Sequence, residues 1–511
     1  MNDRFRRVAS EGIGDLGAHV GLSLSDRERR KYEDAVADAN ADAETLEAAT
    51  QASTRPTFDL SSVVRHPGPE RDPHNAYVTT FEATDADGDT DLADLRVAVK
   101  DNMAVAGVPM TCGSRALSAA VPSENAAVVD RLLAAGATLT GKTNMDEMAY
   151  GPTSETSGFG PVSNPHDETR VAGGSSSGSG AVVAAGDADA ALGSDTGGSV
   201  RIPAAFCGVV GFKPTWGAVP RTGFVDLAYT LDHIGPLARN VEVAARVFDA
   251  IAGYDVRDPS SALAGRIGVG ETADSLATSP DVGDLTLGVP EQLVADHVSP
   301  GVREVFETRL DELDEAGANF VEVSIPSLAD GVPAWNTITN TELAAAFGQT
   351  VTPVERRGPF DVDWYDAVIA GVRANENQFG AVLRRNLVKG AHLLHTYGGR
   401  HYVRAQTVRD RIRQEFDAAL ADVDALVSPT MPVVAPEIGA WQPLSEGDDE
   451  NALDVPLAVN TRPADLAGIP AISVPGGTAD GMPVGIQFIG AKNADQQVLQ
   501  VGHAFEQFVA E

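Results

Sequence analysis

The sequence predicts an α/β fold in which helices cover both faces of a mixed central sheet, preceded by a helical N-terminal appendage. Two observations carry this prediction. From about residue 95 onwards, short apolar segments of strand length alternate with segments of helix length, as in a sheet covered on both faces. Before residue 80, a segment rich in alanine and charged residues is followed by a proline-rich stretch without periodicity. At 511 residues, the chain has room for a large core as well as an appendage.

The appendage is predicted from residues 25–50, which contain no proline or glycine. Their Ala, Asp, Glu and Arg content favours one or two exposed helices, begun by a Ser or Asp cap before Glu28. The next stretch, RPTFDLSSVVRHPGPERDPHNAYVTTF, holds four prolines and is typical of an extended connector, and the acidic run at 85–91 predicts a surface loop. We therefore assign residues 1–80 to the appendage with its connector, and residues 81–511 to the domain that carries the chemistry.

The second part of the chain supplies the sheet. LRVAVK predicts a buried strand, NAAVVDRLLAAGA a helix that ends at Gly136, and TLTGKT a further strand. Residues 300–320 predict a helix that leads into the strand NFVEVSI, and residues 400–421 predict a long amphipathic helix. The strand-like segments AISVP and VGIQFIG near the C-terminus are expected to return to the same sheet.

The net charge restricts the function. The chain has 73 acidic and 38 basic residues, so its formal charge is −35 and its pI is about 4.5. Such a surface repels polyanions on average, which argues against a nucleic-acid binder. Adaptation to a salty cytoplasm is the simplest explanation, because molar salt shortens the Debye length to about 3 Å. The chain has only six lysines, so a lysine in a neutral segment stands out.

Other classes of protein are excluded by what the sequence lacks. It contains no stretch of eighteen apolar residues and no apolar segment behind the N-terminal arginines, so we expect a soluble, cytoplasmic protein without a membrane partner. The cysteines, Cys112 and Cys207, form neither a disulfide framework nor a cluster at metal-ligand spacing. We expect no metal and no cofactor.

The most informative segment is 173–217, which is rich in glycine and serine. A flexible linker is excluded because apolar runs, AVVAA and AAFCGVVGF, border the glycines. GSSSG fits the G-x-S-x-G elbow of α/β-hydrolases with Ser176 as nucleophile, but the residues before it are loop-like and no histidine follows in a recognisable context. A phosphate-binding loop lacks its Lys-Ser/Thr pair.

A third interpretation is a pair of serine-bearing glycine loops that flank one helix. In GSDTGGS, Ser199 follows two glycines, where consecutive N–H groups can stabilise an oxyanion. A serine nucleophile needs a base, and Lys100 stands at the end of the strand VAVK. For that role either burial or a neighbouring cation must lower its pKa by several units from about 10.4. The alternative role for Lys100 is a salt bridge with Asp101.

The chain resembles the amidase-signature family of Ser-Ser-Lys amide hydrolases. The resemblance rests on Lys-Asp-Asn at 100–102, on GGSSSGSG, on SDTGGSVRIPAAFCGVVGFKPT and on the terminal GMPVGIQFIG, and it spans roughly residues 75–505. It implies the amidase-signature fold and hydrolysis of a carboxylic amide through a seryl acyl-enzyme, releasing ammonia or an amine. It also implies Lys100 as the base, Ser175 as the bridging serine after a cis bond from Gly174, and Ser199 as the nucleophile.

The same resemblance implies roles for neighbouring residues. The oxyanion hole is implied for four consecutive backbone N–H groups, those of Thr196, Gly197, Gly198 and Ser199. Support of the two loops is implied for three side chains, those of Ser176, Asp195 and Arg201. One pocket wall is implied for Met148, Tyr150 and Thr153, which from the sequence alone fit the core equally well. Cys207, among apolar neighbours, is predicted to be an inert buried thiol.

Two branches of the family compete. The 147–170 segment and NTRPADLAGIPAISVP resemble the glutaminase subunit of tRNA-dependent amidotransferases. In that subunit, an acidic residue about seven positions before Asn-Leu-Ala-Gly binds the glutamine amino group. In this chain the equivalent motif, Asp-Leu-Ala-Gly, begins at Asp465, and the residue seven positions before it is Ala458. GGSSSGSGA, RIPAAFCG and the N-terminal appendage instead resemble broad-specificity amidases, in which the appendage is a dimerisation element.

The sequence thus favours a stand-alone amidase that acts on small linear amides as a homodimer, with no nucleic-acid partner. The first alternative is the glutaminase subunit of a glutamine-dependent aspartyl/glutamyl-tRNA amidotransferase. The second is a catalytically silent assembly subunit, against which the presence of all three catalytic positions argues.

Overall fold

A computed structural model describes residues 10–19, 21–49, 62–85, 90–266, 270–347, 361–374, 378–441 and 457–510. The chain divides into two compact units, residues 1–55 and residues 56–511. No helix in these ranges is both long enough and apolar enough to cross a bilayer.

The smaller unit contains two helices, α1 (Ser10–His19) and α2 (Asp26–Ala49). The predicted cap of α2 is present as a capping box: Ser25 Oγ accepts from the N–H of Glu28 at 3.4 Å, and Glu28 Oε2 accepts from the N–H of Ser25 at 2.8 Å. Helix α1 was not predicted, because its three glycines give it low intrinsic propensity. It forms through packing against α2, with Ile13 buried.

The larger unit is built on one mixed sheet, for which the described residues supply twelve strands. The strands of this unit are β1 (Val64–Arg65), β2 (Tyr77–Ala83), β3 (Arg96–Lys100), β4 (Thr138–Thr143), β5 (Ser163–Asn164), β6 (Asp167–Val171), β7 (Ala190–Asp195), β8 (Val210–Lys213), β9 (His233–Ala238), β10 (Thr286–Pro290), β11 (Asn319–Val323), β12 (Ala425–Pro429), β13 (Ala471–Ala479) and β14 (Met482–Ile489). The order in the sheet is β1-β2-β4-β3-β7-β9-β8-β13-β14-β12-β10-β11, and β5 and β6 pair separately. Strand β3 is parallel to both of its neighbours, β4 and β7, and β10 is parallel to both of its own, β11 and β12, whereas the remaining pairs in this sheet are antiparallel.

Helices cover both faces of this sheet. In β3, Val97 and Val99 join the largest apolar cluster, whereas Ala98 joins a second cluster that contains Ala181 and Val182. The alternation follows from the two-residue period of a strand. The helices of this unit are α3 (Ala127–Ala134), α4 (Ser177–Ala184), α5 (Arg201–Cys207), α6 (Val241–Ile251), α7 (Thr272–Ser275), α8 (Pro300–Glu315), α9 (Gly331–Phe347), α10 (Val362–Ala374), α11 (Ala381–Tyr397), α12 (Arg400–Ala419), α13 (Arg462–Ala467) and α14 (Asp495–Ala510).

The sequence-predicted strands and helices of the larger unit are present, within a few residues of the expected ends. The expected boundary at residue 80 differs from the division of the chain at residue 55. The reason is that β2 pairs antiparallel with β4, which ties residues 77–83 to the central sheet. Of the predicted connector, residues 55–61 lie outside the described residues, as do residues 86–89 of the acidic run.

Candidate active site

The sheet topology brings the two predicted loops to one edge. Strand β3 ends at Lys100 and its parallel neighbour β7 ends at Asp195. Because parallel neighbours end at the same edge of a sheet, Lys100 lies beside the loop that carries Ser199. The N–H of Ser176, in the loop before α4, donates to the carbonyl oxygen of Ser199 at 3.2 Å, so the two glycine loops also contact each other.

Three serine hydroxyls surround the amino group of Lys100. Its Nζ lies 2.8 Å from Ser175 Oγ, 2.9 Å from Ser176 Oγ and 2.8 Å from Ser194 Oγ. The alternative salt bridge does not form, because Asp101 pairs with another lysine, Lys142. Ser194, which was not predicted from the sequence, lies five residues before Ser199 in the GSDTGGS run.

The environment of Lys100 favours its neutral form. Burial lowers the pKa of Lys100 to about 7, although the negative charges of Asp146, Asp195 and Asp232 oppose the shift. A buried ammonium loses its hydration, and hydroxyl groups replace it only in part. A large fraction of the molecules therefore holds an unprotonated amine at neutral pH, which is what a base requires.

Gly174 is required by a close approach. A Cβ atom at this position would overlap with Asp146 Oδ2 and would lie 2.9 Å from the carbonyl oxygen of Gly151. Asp146 itself accepts from the N–H groups of Ser154 and Thr156, both at 3.0 Å. The peptide bond from Gly174 to Ser175 is cis, as the resemblance implies.

Asp195 holds the shape of the loop that carries Ser199. Its carboxylate accepts from the N–H of Gly198 at 2.5 Å and of Val200 at 3.1 Å. It also forms a buried ion pair with Arg201, whose Nη2 lies 2.8 Å from Asp465. Burial raises the pKa of Asp195, but the charge and hydrogen bonds of Arg201 more than offset this and keep the pKa well below its usual range. The carboxylate therefore stays ionised and fixes the loop.

Two distant side chains orient the peptide groups of the same loop. Trp335 Nε1 donates to the carbonyl oxygen of Thr196 at 2.8 Å, and Thr461 Oγ1 donates to that of Gly197 at 2.7 Å. In a trans peptide the following N–H points the opposite way, so these bonds direct the N–H groups of Gly197 and Gly198 away from Trp335 and Thr461.

One member of the expected oxyanion hole is engaged elsewhere. The N–H of Gly198 donates to Asp195, so it is not available to a substrate, and the expectation for this residue is corrected. The N–H groups of Thr196, Gly197 and Ser199 donate to no acceptor among the residues that the structure describes. Three donors of the expected four remain.

Ser199 opens onto a pocket of about 350 Å³, which Thr196 and Gly197 also line. Its hydroxyl makes no hydrogen bond within the described part of the chain, and none joins it to Ser175 Oγ. In free enzymes such catalytic hydrogen bonds are often long and tighten when substrate binds. Ser176 is fully buried and does not line the pocket, so the α/β-hydrolase elbow interpretation does not fit.

Of the expected pocket wall, Tyr150 lines the pocket and the other two residues do not. Met148 is buried in the largest apolar cluster and Thr153 is fully buried, so both belong to the core. The backbone of Met148 has a φ of +52°, which differs from that of a regular helix. Cys207 is buried and burial raises the pKa of its thiol, as expected for an inert thiol.

Several pocket residues were not identified from the sequence. They come from α9, from α11 and from the start of α13: Trp335, Asn340, Arg385, Asn386, Lys389 and Arg462. No local motif marks these positions, and they reach Ser199 only through the packing of distant helices.

Known proteins are similar to this chain over most of its length. A family model described as Amidase matches residues 75–499. The A subunit of Glutamyl-tRNA(Gln) amidotransferase from Halobacterium salinarum is 45% identical over 440 residues, which are 85% of this chain and 99% of that protein.

Solved structures show the same likeness. The A subunit of Glutamyl-tRNA(Gln) amidotransferase from Thermotoga maritima has a TM-score of 0.71 and 35% sequence identity. The match covers 85% of this chain and 88% of the chain from Thermotoga maritima. The peptide amidase of Stenotrophomonas maltophilia has a TM-score of 0.67 and 32% sequence identity. The match covers 81% of this chain and 82% of the peptide amidase chain.

These relatives correct two expectations. The expectation of a homodimer with no nucleic-acid partner is wrong, because relatives matched over nearly their whole length are named as subunits of an enzyme of glutamyl-tRNA. The preference for a stand-alone amidase is likewise less well supported than its first alternative, the amidotransferase subunit. Hydrolysis of an amide is common to both.

Proposed function

Because the chain belongs to the amidase family, we propose that it is the amide-hydrolysing subunit of a tRNA-dependent amidotransferase, acting through Lys100, Ser175 and Ser199. The observation that carries this proposal is 45% identity to such a subunit over 99% of that protein's length. The proposal places the chain in the cytoplasm, where tRNA is, and in high salt, which suits a charge of −35 and a relative from Halobacterium salinarum.

The proposed mechanism begins with a proton relay. Neutral Lys100 takes a proton from Ser175, which takes the hydroxyl proton of Ser199 as Ser199 Oγ attacks the amide carbonyl carbon. The contact of 2.8 Å between Lys100 Nζ and Ser175 Oγ supports the first half of this relay. Negative charge then develops on the carbonyl oxygen, where the N–H groups of Thr196, Gly197 and Ser199 stabilise it.

The second half of the cycle uses the same groups in reverse. The C–N bond breaks, the leaving nitrogen takes the proton from the relay, and ammonia departs from an ester on Ser199. Water then loses a proton to the relay and attacks the ester carbonyl, which releases the carboxylate and restores the Ser199 hydroxyl. Ser176 and Ser194 hold Lys100 in place throughout, and Asp195 and Arg201 hold the loop.

A stand-alone amidase remains the second candidate because of Ala458. This residue lines the pocket with Ser199, at the position where the resemblance to the amidotransferase subunit implies an acidic group for the glutamine amino group. Among the described lining residues there is no carboxylate to replace it.

Ammonia release distinguishes the candidates. The chain is assayed in molar KCl with glutamine or simple amides, alone and together with the other subunits and glutamyl-tRNA. We expect glutamine hydrolysis that rises when the subunits and tRNA are added. If the chain alone hydrolysed simple amides as fast as it does with the other subunits and tRNA present, the result would favour the stand-alone amidase.

Ser199→Ala tests the nucleophile in either case. It is expected to lose ammonia release by roughly 10⁶-fold, as for other serine nucleophiles. The acyl-enzyme mass detected with the unaltered chain should also disappear. The matched control is Ser118→Ala, an exposed serine outside the pocket. Full activity of the Ser199 variant would refute the assignment.

A further inference from the structure

The pocket above Ser199 is strongly cationic. Three basic side chains line it, Arg385, Lys389 and Arg462, and no Asp or Glu belongs to its described lining. In a chain with nearly twice as many acidic as basic residues, a pocket of this sign is unexpected from composition. A ligand with negative charge would meet complementary groups on several sides.

Arg462 is a buried cation of this group whose charge no carboxylate of the described residues pairs. Its Nε is buried without a hydrogen-bond partner, and across the described ranges its guanidinium forms no ion pair and donates no hydrogen bond. Asp465, whose charge acts on it, is bonded to Arg201 instead. Burial lowers the pKa of Arg462, yet an arginine remains protonated at neutral pH. A buried cation without a partner is costly unless a ligand supplies one.

Arg462 is held directly beside the nucleophile loop. Its Cζ lies 4.3 Å from the centroid of the Trp335 ring. Trp335 donates a hydrogen bond to the carbonyl oxygen of Thr196 in this loop. Thr461, which precedes Arg462 in the chain, donates to the carbonyl oxygen of Gly197. A molecule with its amide at Ser199 and a second group at Arg462 must therefore be short.

We propose that Arg462 binds a carboxylate of the substrate, so that the site selects short amides bearing a carboxylate and makes no use of a neighbouring amino group. This inference rests on the proposed amide hydrolysis at Ser199 and names its substrate class.

The position of the guanidinium over the Trp335 ring supports this assignment. An arginine that packs on an aromatic ring in this way still has its N–H groups for an acceptor. A carboxylate accepts two parallel hydrogen bonds from a guanidinium. A substrate ammonium finds no such partner in the described lining, because Ala458 offers only a methyl group and the charged side chains of that lining are basic.

Four amides of similar length distinguish the effect of a substrate carboxylate from that of a substrate ammonium. Glutaramate carries only the carboxylate, glutamine carries both groups, 4-aminobutanamide carries only the ammonium, and butanamide carries neither. We expect kcat/KM in molar KCl to be highest for glutaramate, to be no higher for glutamine, and to be lowest for 4-aminobutanamide. A preference for 4-aminobutanamide or butanamide over glutaramate would overturn the proposal.

Arg462→Leu tests the residue itself. Loss of a charged hydrogen-bonding partner is expected to reduce the ratio of kcat/KM for glutaramate to that for butanamide by roughly 10- to 100-fold, mainly through KM. Arg462→Lys should restore part of this ratio because it keeps the charge. The matched control is Arg411→Leu, which removes an arginine whose side chain is 54% exposed. A ratio unaltered in Arg462→Leu would refute the role.

Binding separates failure of this inference from failure of the proposed function. Glutaramate is titrated into Ser199→Ala and into Ser199→Ala/Arg462→Leu, with a thermal melt of each variant as a check of folding. Tight binding that depends on Arg462 without any turnover by the unaltered chain would leave the inference standing and refute the hydrolysis. Turnover by the unaltered chain, together with glutaramate binding that does not depend on Arg462, would support the hydrolysis and refute the role of Arg462.

Ala458→Asp provides a gain of function. It returns a carboxylate to the pocket, so it should raise kcat/KM for glutamine and 4-aminobutanamide relative to glutaramate. No change in these ratios would show that Ala458 does not explain the lack of amine recognition, and would overturn that half of the proposal.

Discussion

Two buried lysines on neighbouring parallel strands have different surroundings. Lys100 ends β3 and Lys142 lies in β4, and both side chains are fully buried. Lys142 Nζ forms an ion pair of 2.9 Å with Asp101, whose carboxylate also accepts from the N–H of Thr111 at 2.9 Å. The hydrogen bonds of the Lys100 amino group go to hydroxyl groups. The same residue type at the same depth is thus placed in a structural ion pair in one case and in a site suited to a base in the other.

The difference shows which surroundings would suit a buried lysine to act as a base. A carboxylate partner compensates the ammonium and makes its deprotonation costly. Hydroxyl groups accept hydrogen bonds from an ammonium and donate to a neutral amine, so they accommodate both states of Lys100. Asp101 follows Lys100 in the chain but pairs with Lys142, which leaves Lys100 available as a base.

Between the two lysines, the largest expected effect on activity comes from removing Lys100, the proposed base. Lys100→Met should lower kcat for ammonia release by roughly 10³- to 10⁴-fold, because the relay then has no proton acceptor. Lys100→Arg should be equally inactive, since an arginine is not neutral near pH 7. Steady-state assays with the substrate that the unaltered chain prefers measure this effect. If Lys100→Met kept a tenth of the activity, the two lysines would not differ as described.

Stability should distinguish the two lysines in the opposite order from activity, with the larger loss for the Lys142 variant. Lys142→Met leaves the buried Asp101 without a counter-charge and should lower the free energy of unfolding by about 3–5 kcal/mol. Lys100→Met removes no ion pair and should cost clearly less. Denaturant titrations at constant KCl concentration measure both values. The double variant Lys142→Met/Asp101→Asn should recover part of the loss, and equal losses for the two single variants would remove the distinction.

The pH dependence gives the smallest effect. Because the pKa of Lys100 is lowered to about 7, its neutral form declines as the pH falls below that value. We expect kcat/KM to rise about tenfold per pH unit below pH 7 and to level off above it, so that activity at pH 6 is about one tenth of the plateau. A pH–rate profile at fixed KCl checks this. A midpoint near 10 would mean that Lys100 keeps the protonation behaviour of an exposed lysine.

The local features of the fold were predictable because they depend on short-range patterns. The strand that ends at Lys100 follows from a short apolar run, and the N-terminal cap of α2 follows from Ser25 and Glu28 three positions apart. The serines of the site were found because two unusual glycine-rich loops lie close together in the sequence and resemble a known family. Ser194 carried a weaker signal, since only its place within GSDTGGS marked it.

The sequence by itself determined the sheet segments, the residues of the proposed relay and the class of reaction. Only the tertiary structure decided which carboxylate Lys142 takes, which N–H groups remain for an oxyanion, and which cations face the substrate. Trp335 and Arg462 illustrate the reason, because they lie far along the chain from Ser199 and reach the pocket through helix packing. Strand periodicity and loop motifs are set by neighbours in sequence, whereas partners and specificity are set by contacts between distant segments.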